Sequence, residues 1–205
     1  MRALVTAFEP FGGSRTNASL AAVALLPHAT SDIEIVTAQL PTSYARAGER
    51  LLRELAHAEP QIVLCVGEAG ERHQLNVERI AVNLQDARLA DNDGGRPVDS
   101  PVVADGPAAY FATLPVRAIH DALIAARIPA VLSNSAGTFV CNHVFYTLMR
   151  HAAQTRATWR GGFVHVPAWR DNDAAPVMSL DDIVQGLLIA LATSAADLDS
   201  LNPKS

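Results

Sequence analysis

Lysine, cysteine and aromatic residues are all scarce in this chain, and each scarcity closes off a class of function. The one lysine, Lys204, stands near the C-terminus, no Lys/Arg run occurs, and the formal charge is -5. A general nucleic-acid binder needs a basic stripe to neutralise phosphates, so no nucleic-acid partner is expected. Two cysteines, Cys65 and Cys141, do not make a disulfide framework in 205 residues. No run approaches the ~18 apolar residues that suggest a membrane span. The apolar start of roughly six residues is far short of a secretory leader. The expectation is a cytoplasmic protein with reduced thiols and no membrane contact. With neither HExxH nor a paired-cysteine motif, no metal is expected, and Cys141-Asn-His143 alone is not a zinc site.

What is present is aliphatic. Hydrophobic residues make up 49% of the chain and aromatics only 5%, so Ala, Val, Leu and Ile must build the core. Strand-length runs alternate with Ala/Leu-rich helical spacing: strands at Leu4–Ala7, Ile33–Leu40, Gln61–Gly67, Pro129–Asn134 and Gly162–Val166, with helices between them. Leu75–Leu84 reads as a weaker strand or strand pair. Helices are expected from Asn17 to Leu26, Ser43 to His57, Pro115 to Arg127, Cys141 to Ala153 and Ser179 to Ala196. The alternation predicts an α/β fold, a single-domain three-layer α/β/α sandwich over residues 1–205, with a mostly parallel, twisted central sheet. The polar, turn-rich segment 85–107 is its expected mobile part.

Ligands of open α/β sheets sit beyond the carboxyl ends of the strands. The segments following four strands are unusual: Phe8-Glu-Pro-Phe-Gly-Gly13, Gly67-Glu-Ala-Gly-Glu-Arg72, Ser135-Ala-Gly-Thr-Phe-Val-Cys-Asn142 and His165-Val-Pro167. They are expected to converge on one edge. Cys141 follows Gly137 and opens a helix, where amide groups and the helix dipole favour a thiolate and can hold a developing oxyanion. This predicts a thiol pKa below the ~8.5 of free cysteine. Cys65, inside a strand, reads as core. Of seven histidines, His165 ends a strand on the edge shared with Cys141 and is the preferred base. The carboxylate that orients it is open among Glu78, Glu9, Glu68, Glu71 and Asp91.

With these pieces in place, the chain resembles the pyroglutamyl peptidase I (pyrrolidone-carboxylate peptidase) family of cysteine exopeptidases over about residues 2–195. The most specific match is Ser135-Ala-Gly-Thr-Phe-Val-Cys-Asn-His143. Supporting pieces are Thr6-Ala-Phe-Glu-Pro-Phe-Gly-Gly13, Glu78-Arg-Ile-Ala-Val-Asn83, Ala87-Arg-Leu-Ala-Asp-Asn92 and Gly161-Gly-Phe-Val-His-Val-Pro167. The resemblance implies hydrolysis of the N-terminal pyroglutamyl residue of peptides through a thioester on Cys141, with His165 as base and Glu78 as third catalytic residue. It implies no cofactor and a homo-oligomer, tetramer or dimer. Pyroglutamate is a flat, neutral lactam, so Phe8, Phe11 and Phe139 suit its pocket walls, one of them being core, and Arg88 matches a position near the site. Glu71 stands where the family more often has Gly, and Ser133-Asn-Ser135 departs from its commoner Ser-Tyr-Thr.

Two other readings compete. Phe11-Gly-Gly13 between strand and helix suits a nucleoside- or phosphate-handling enzyme, though neither GxGxxG nor GxxxxGK[ST] is present. A catalytically idle binding module on the same scaffold would bind ligand without turnover.

Overall fold

Val, Ile and Leu concentrate in short runs that form strands, those over Arg2–Phe8, Ile62–Glu68, Leu75–Glu78 and Arg160–Val166 buried on both faces. The computed structural model describes residues 1–169 and 177–201, so 170–176 and 202–205 of the expected domain lie outside the described residues. In chain order the elements are β1 (Arg2–Phe8), α1 (Ala18–Ala24), β2 (Glu34–Leu40), α2 (Ala47–Ala58), β3 (Ile62–Glu68), β4 (Leu75–Glu78), β5 (Ile80–Val82), β6 (Ala109–Phe111), α3 (Val116–Ala125), β7 (Ala130–Ser133), α4 (Val140–Thr155), β8 (Arg160–Val166) and α5 (Leu180–Leu201).

Six strands form one sheet in the order β2-β1-β3-β8-β4-β7, and β5 pairs with β6 in a separate ribbon. Strands β2, β1, β3 and β8 are mutually parallel, whereas β4 runs against β8, and β7 runs with β4. Helices α1, α3 and α5 cover one face through Ala22, Ile119, Leu123, Ile183 and Leu187. Helices α2 and α4 cover the other through Leu51, Leu55, Val144, Phe145 and Leu148. The three layers expected from the alternation are therefore present.

Local signals account for most boundaries. Asn17 caps α1 by accepting from the Ser19 N–H at 2.9 Å. Ser179 Oγ accepts from the Asp182 N–H at 3.0 Å ahead of α5. Helix α2 starts at Ala47, later than its spacing suggests, because Ser43 Oγ is engaged with the Arg46 N–H and the Asp93 carboxylate. The Leu75–Leu84 segment is a strand pair split at Arg79, its halves lying in different sheets. Strand β6 has no counterpart in the sequence reading, since three residues carry no period.

Two findings depart from expectation. Segment 85–107 is irregular, but it is tied down. Asp91 accepts from the N–H groups of Tyr44, Asp93 and Gly95, and Asn92 donates to Glu9 Oε1 at 2.9 Å. Helix α5 is long and apolar enough to cross a membrane by length and composition alone. Its placement is that of a core helix, with Ile183, Gly186, Leu187, Ala190 and Leu191 buried at helical spacing.

Candidate active site

The site grows from one face of the three central strands. Alternation along a strand puts Cys65 and Gly67 of β3, Phe163 and His165 of β8, and Asn76 and Glu78 of β4 on the face covered by α4. Register sets Gly67 beside His165 on one flank and Asn76 on the other. Glu78 is then the diagonal neighbour of His165, within reach of a long side chain. Glu78 Oε1 stands 2.8 Å from His165 Nδ1. Glu78 is fully buried and His165 nearly so.

Cys141 reaches this row by a route that strand-end reasoning did not anticipate. The expectation that all four segments leave strands at a common edge fails for β7. It begins level with His165 and runs away from that edge, ending with Ser133 beside Glu78. The chain must double back through residues 134–139. Gly137 makes the return possible at φ 75°, a conformation that costs glycine little. Ser133 Oγ donates to the Ser135 carbonyl at 3.1 Å, and Ser135 Oγ accepts from the Gly137 N–H, so two hydroxyls hold this turn. Cys141 arrives as the second residue of α4, with Sγ over Gly67. A Cβ on Gly67 would lie 2.9 Å from that sulfur and 2.9 Å from Phe163 Cζ. Glycine at position 67 is what lets the thiol sit against the His165 row.

The sequence reading missed Arg72. Its Nη1 donates to Glu78 Oε1 at 2.6 Å and its Nη2 to the Ser135 carbonyl at 2.9 Å. One guanidinium therefore holds both the carboxylate behind His165 and the loop before Cys141. Neither Arg79 nor Arg88 serves Glu78: Arg79 Nη1 faces Asn134 at 3.4 Å and Arg88 pairs with Glu71. The rival carboxylates are engaged elsewhere. Glu9 accepts from Thr42 N–H and Asn92, Glu68 from the Ala18 N–H at 2.6 Å, and Asp91 from backbone. The signal for Arg72 was its place six residues before Glu78, after a Gly-rich turn.

Cys141 and His165 line a cavity of about 330 Å³ with Phe8, Phe11, Phe139 and Arg88. Phe8 is buried and faces Phe163 with ring centres 6.3 Å apart, making it the member of the trio that belongs to the core. Phe139 packs between Phe11 at 5.8 Å and the edge of Tyr44 at 5.6 Å, and Tyr44 donates to the Thr138 carbonyl. Arg88 and Glu71 form an exposed pair at 2.8 Å on the cavity rim. At the back of α4, Asn142 is buried and bonds Val82 and Leu84, joining the nucleophile helix to β5.

The electrostatics correct one expectation. Burial, reinforced by the Glu78 charge, pushes the Cys141 thiol up to about 12, against the lowering effects of Arg72 and of the residue's own N–H. Cys141 is half-buried on the cavity wall, and the cause of this upward shift is the apolar packing on the sulfur's inner side. The helix start is present as foreseen, but desolvation outweighs it. Glu78 Oε1 at His165 Nδ1 suits the tautomer that carries its proton on Nδ1 and leaves Nε2 to accept. Among the described residues no group of three His, Cys, Asp or Glu side chains is placed to hold a metal ion.

Comparison with known proteins gives the family. A family model described as pyroglutamyl peptidase matches residues 1–197. The pyrrolidone-carboxylate peptidase of Alkaliphilus oremlandii is 43% identical, over 93% of this chain and 92% of that protein. Pyrrolidone-carboxylate peptidase 1 of Ralstonia nicotianae is 46% identical, over 93% and 91%. The crystal structure of pyroglutamyl peptidase I from Bacillus amyloliquefaciens superposes with a TM-score of 0.89 at 41% identity, covering 95% of this chain and 97% of that one. The pyrrolidone carboxyl peptidase from Thermococcus litoralis superposes with a TM-score of 0.92 at 35% identity, covering 97% and 95%. With the family model matched over residues 1–197 and relatives 43% and 46% identical, the chain belongs to the pyroglutamyl peptidase family of cysteine-type peptidases.

Proposed function

We propose that this protein hydrolyses the N-terminal pyroglutamyl residue from peptides, with Cys141 as nucleophile, His165 as general base and then acid, and Glu78 as the group that orients the base. The observation that carries the assignment of roles is the His165 Nδ1–Glu78 Oε1 contact of 2.8 Å, in a row whose next member, Gly67, touches Cys141 Sγ. The lactam ring enters the aromatic end of the cavity, against the packed Phe11–Phe139 pair. Its carbonyl carbon meets Sγ.

Burial raises the Cys141 thiol, so its deprotonation is coupled to attack. Sγ bonds to the carbonyl carbon as His165 Nε2 takes the S–H proton. The carbonyl oxygen becomes an oxyanion beside the first turn of α4, whose amides have no intrahelical acceptor. As the carbonyl re-forms, the C–N bond breaks and His165 returns the proton to the leaving amine. A thioester remains on Cys141. Water attacks it, His165 accepting the water's proton, and pyroglutamate leaves as the C–S bond breaks and the thiol regains its proton. The reaction as written draws on no metal or organic cofactor. Arg88 stands at the rim, where the leaving peptide passes. The working unit of this reading is one α/β/α domain over residues 1–205, cytoplasmic and assembled as a homodimer or homotetramer. Phe111 and Val98, each 70% exposed, are surface that an assembly would cover.

The test is release of fluorophore from a pyroglutamyl–aminocoumarin amide beside the prolyl amide, under reducing conditions. Turnover of the first alone, abolished in Cys141→Ser and by thiol alkylation, is the expected result. A fully active Cys141→Ser variant would sink the assignment.

A further inference from the structure

The substrate of an exopeptidase of this kind has nothing beyond the lactam ring on one side and a whole peptide on the other. The ring occupies the enclosed aromatic end, so the leaving peptide must pass the part of the cavity wall open to solvent. The charged wall residues that are exposed are Glu71, Asp86 and Arg88. Glu71 comes from the turn after β3, anchored by Arg72, whose N–H donates to the Ala69 carbonyl and whose side chain is held by Glu78 and Ser135. Arg88 comes from the segment after β5, where Arg96 donates to the carbonyls of Ala87 and Arg88. Two walls with fixed backbones thus meet through a single side-chain contact, Arg88 Nη1 to Glu71 Oε1 at 2.8 Å, with both side chains at least four-fifths exposed.

We propose that this bridge, with Asp86 on the same cavity wall, sets the preference for the residue that follows pyroglutamate, favouring a basic side chain over an acidic one. The inference rests on the peptidase reading above. Alone, Arg88 would make the mouth attractive to an acidic leaving residue. Glu71 neutralises it, and Asp86 leaves the mouth with a net charge of about -1, counting unit charges on the three side chains. Both members keep their exposure, so either exchanges its partner for a substrate charge at little cost. A family member with glycine at position 71 would present Arg88 unpaired.

The experiment compares kcat/KM for three C-terminally amidated pyroglutamyl dipeptides, with lysine, alanine or glutamate second. The wild type is expected to rank lysine above alanine above glutamate. Glu71→Gln frees Arg88 and should lower the lysine-to-glutamate ratio by about threefold to fivefold. Arg88→Gln should raise it. The double variant restores the wild-type net charge at the mouth, and its ratio should return to within about twofold of wild type. All these differences should shrink at 1 M salt, where the Debye length is about 3 Å. Turnover of all three substrates with one unchanged ratio in every variant overturns the inference alone. Absence of turnover of any of the three by the reduced wild-type protein overturns the peptidase reading and the inference with it.

Discussion

Two arginine–glutamate pairs flank the same cavity at nearly the same distance, 2.6 Å for Arg72–Glu78 and 2.8 Å for Arg88–Glu71, yet they do opposite work. Glu78 is fully buried and the Arg72 side chain 26% exposed, whereas both members of the rim pair are about 80% exposed. A buried carboxylate cannot stay charged without partners, so Glu78 commits to Arg72 and His165 together, and that commitment fixes the base. An exposed pair is screened by solvent and held weakly, which leaves it free to respond to substrate charge. Burial, and not the identity of the pair, decides which contact organises the chemistry and which adjusts it. The two cysteines make the same point. Cys65 and Cys141 are both pushed up to about 12 by burial, but only Cys141 opens onto a cavity that also holds His165. A shifted thiol does not identify a nucleophile; access to a base and a substrate does.

The largest expected effect comes from removing the inner carboxylate. Glu78→Gln keeps the shape but presents an amide that no longer holds the imidazole proton on Nδ1, and kcat should fall by about 10³–10⁴-fold with the fold intact. The same change should make the thiol easier to ionise, because the Glu78 charge raises it. Alkylation of Cys141 by iodoacetamide needs thiolate, so its rate against pH should move to lower pH in this variant. A Glu78→Gln enzyme within tenfold of wild-type kcat would break the assignment of Glu78 to the base.

Arg72→Gln should show a smaller loss of rate but a distinct pattern. It strands Glu78 with one fewer partner, so the protein should lose roughly 3 kcal/mol of stability in urea unfolding. Arg72 also lowers the Cys141 thiol, so the alkylation profile should move to higher pH, opposite to Glu78→Gln. Arg72→Lys, keeping the charge but not the fork to Ser135, should recover most of the pH profile. Alkylation profiles that shift the same way in the two glutamine variants would contradict the geometry of the buried cluster.

Much of this arrangement was legible in the residues. The runs Gln61–Gly67 and Gly162–Val166 read as buried strands and are β3 and β8, which fit side by side. Gly137 before Cys141 marked a turn into a helix. Strand direction was not legible, because an apolar run reads the same either way, and so β7 was taken to deliver the nucleophile loop at its far end. Arg72 escaped notice because a lone arginine in a polar turn resembles any solvated side chain until β4 is known to lie beside β8. The thiol expectation failed for a related reason. A helix start can be read from Gly137 and the spacing that follows, but the packing of Phe163, Gly67 and Glu78 around the sulfur appears only in three dimensions.

The smallest expected effect is the one that separates the two pairs most cleanly. Glu71→Gln removes one member of an ion pair as short as the inner one to within a few tenths of an ångström, so a count of salt bridges would assign the two losses similar weight. Exposure says otherwise: the carboxylate returns to water whether or not Arg88 is near, and the side chains recover the freedom that pairing restricted. The urea midpoint of Glu71→Gln should be indistinguishable from wild type, at low salt and at high, while that of Arg72→Gln falls clearly. The Arg88 hold on Glu71 lowers its carboxyl pKa, so any contribution of the pair is present at neutral pH and lost as pH falls. Measuring at pH 7 therefore gives the pair its best chance to matter. A midpoint that dropped as far as the Arg72→Gln midpoint would mean that the rim bridge holds the β3–β4 turn in place, and the division between an organising pair and an adjustable one would fail.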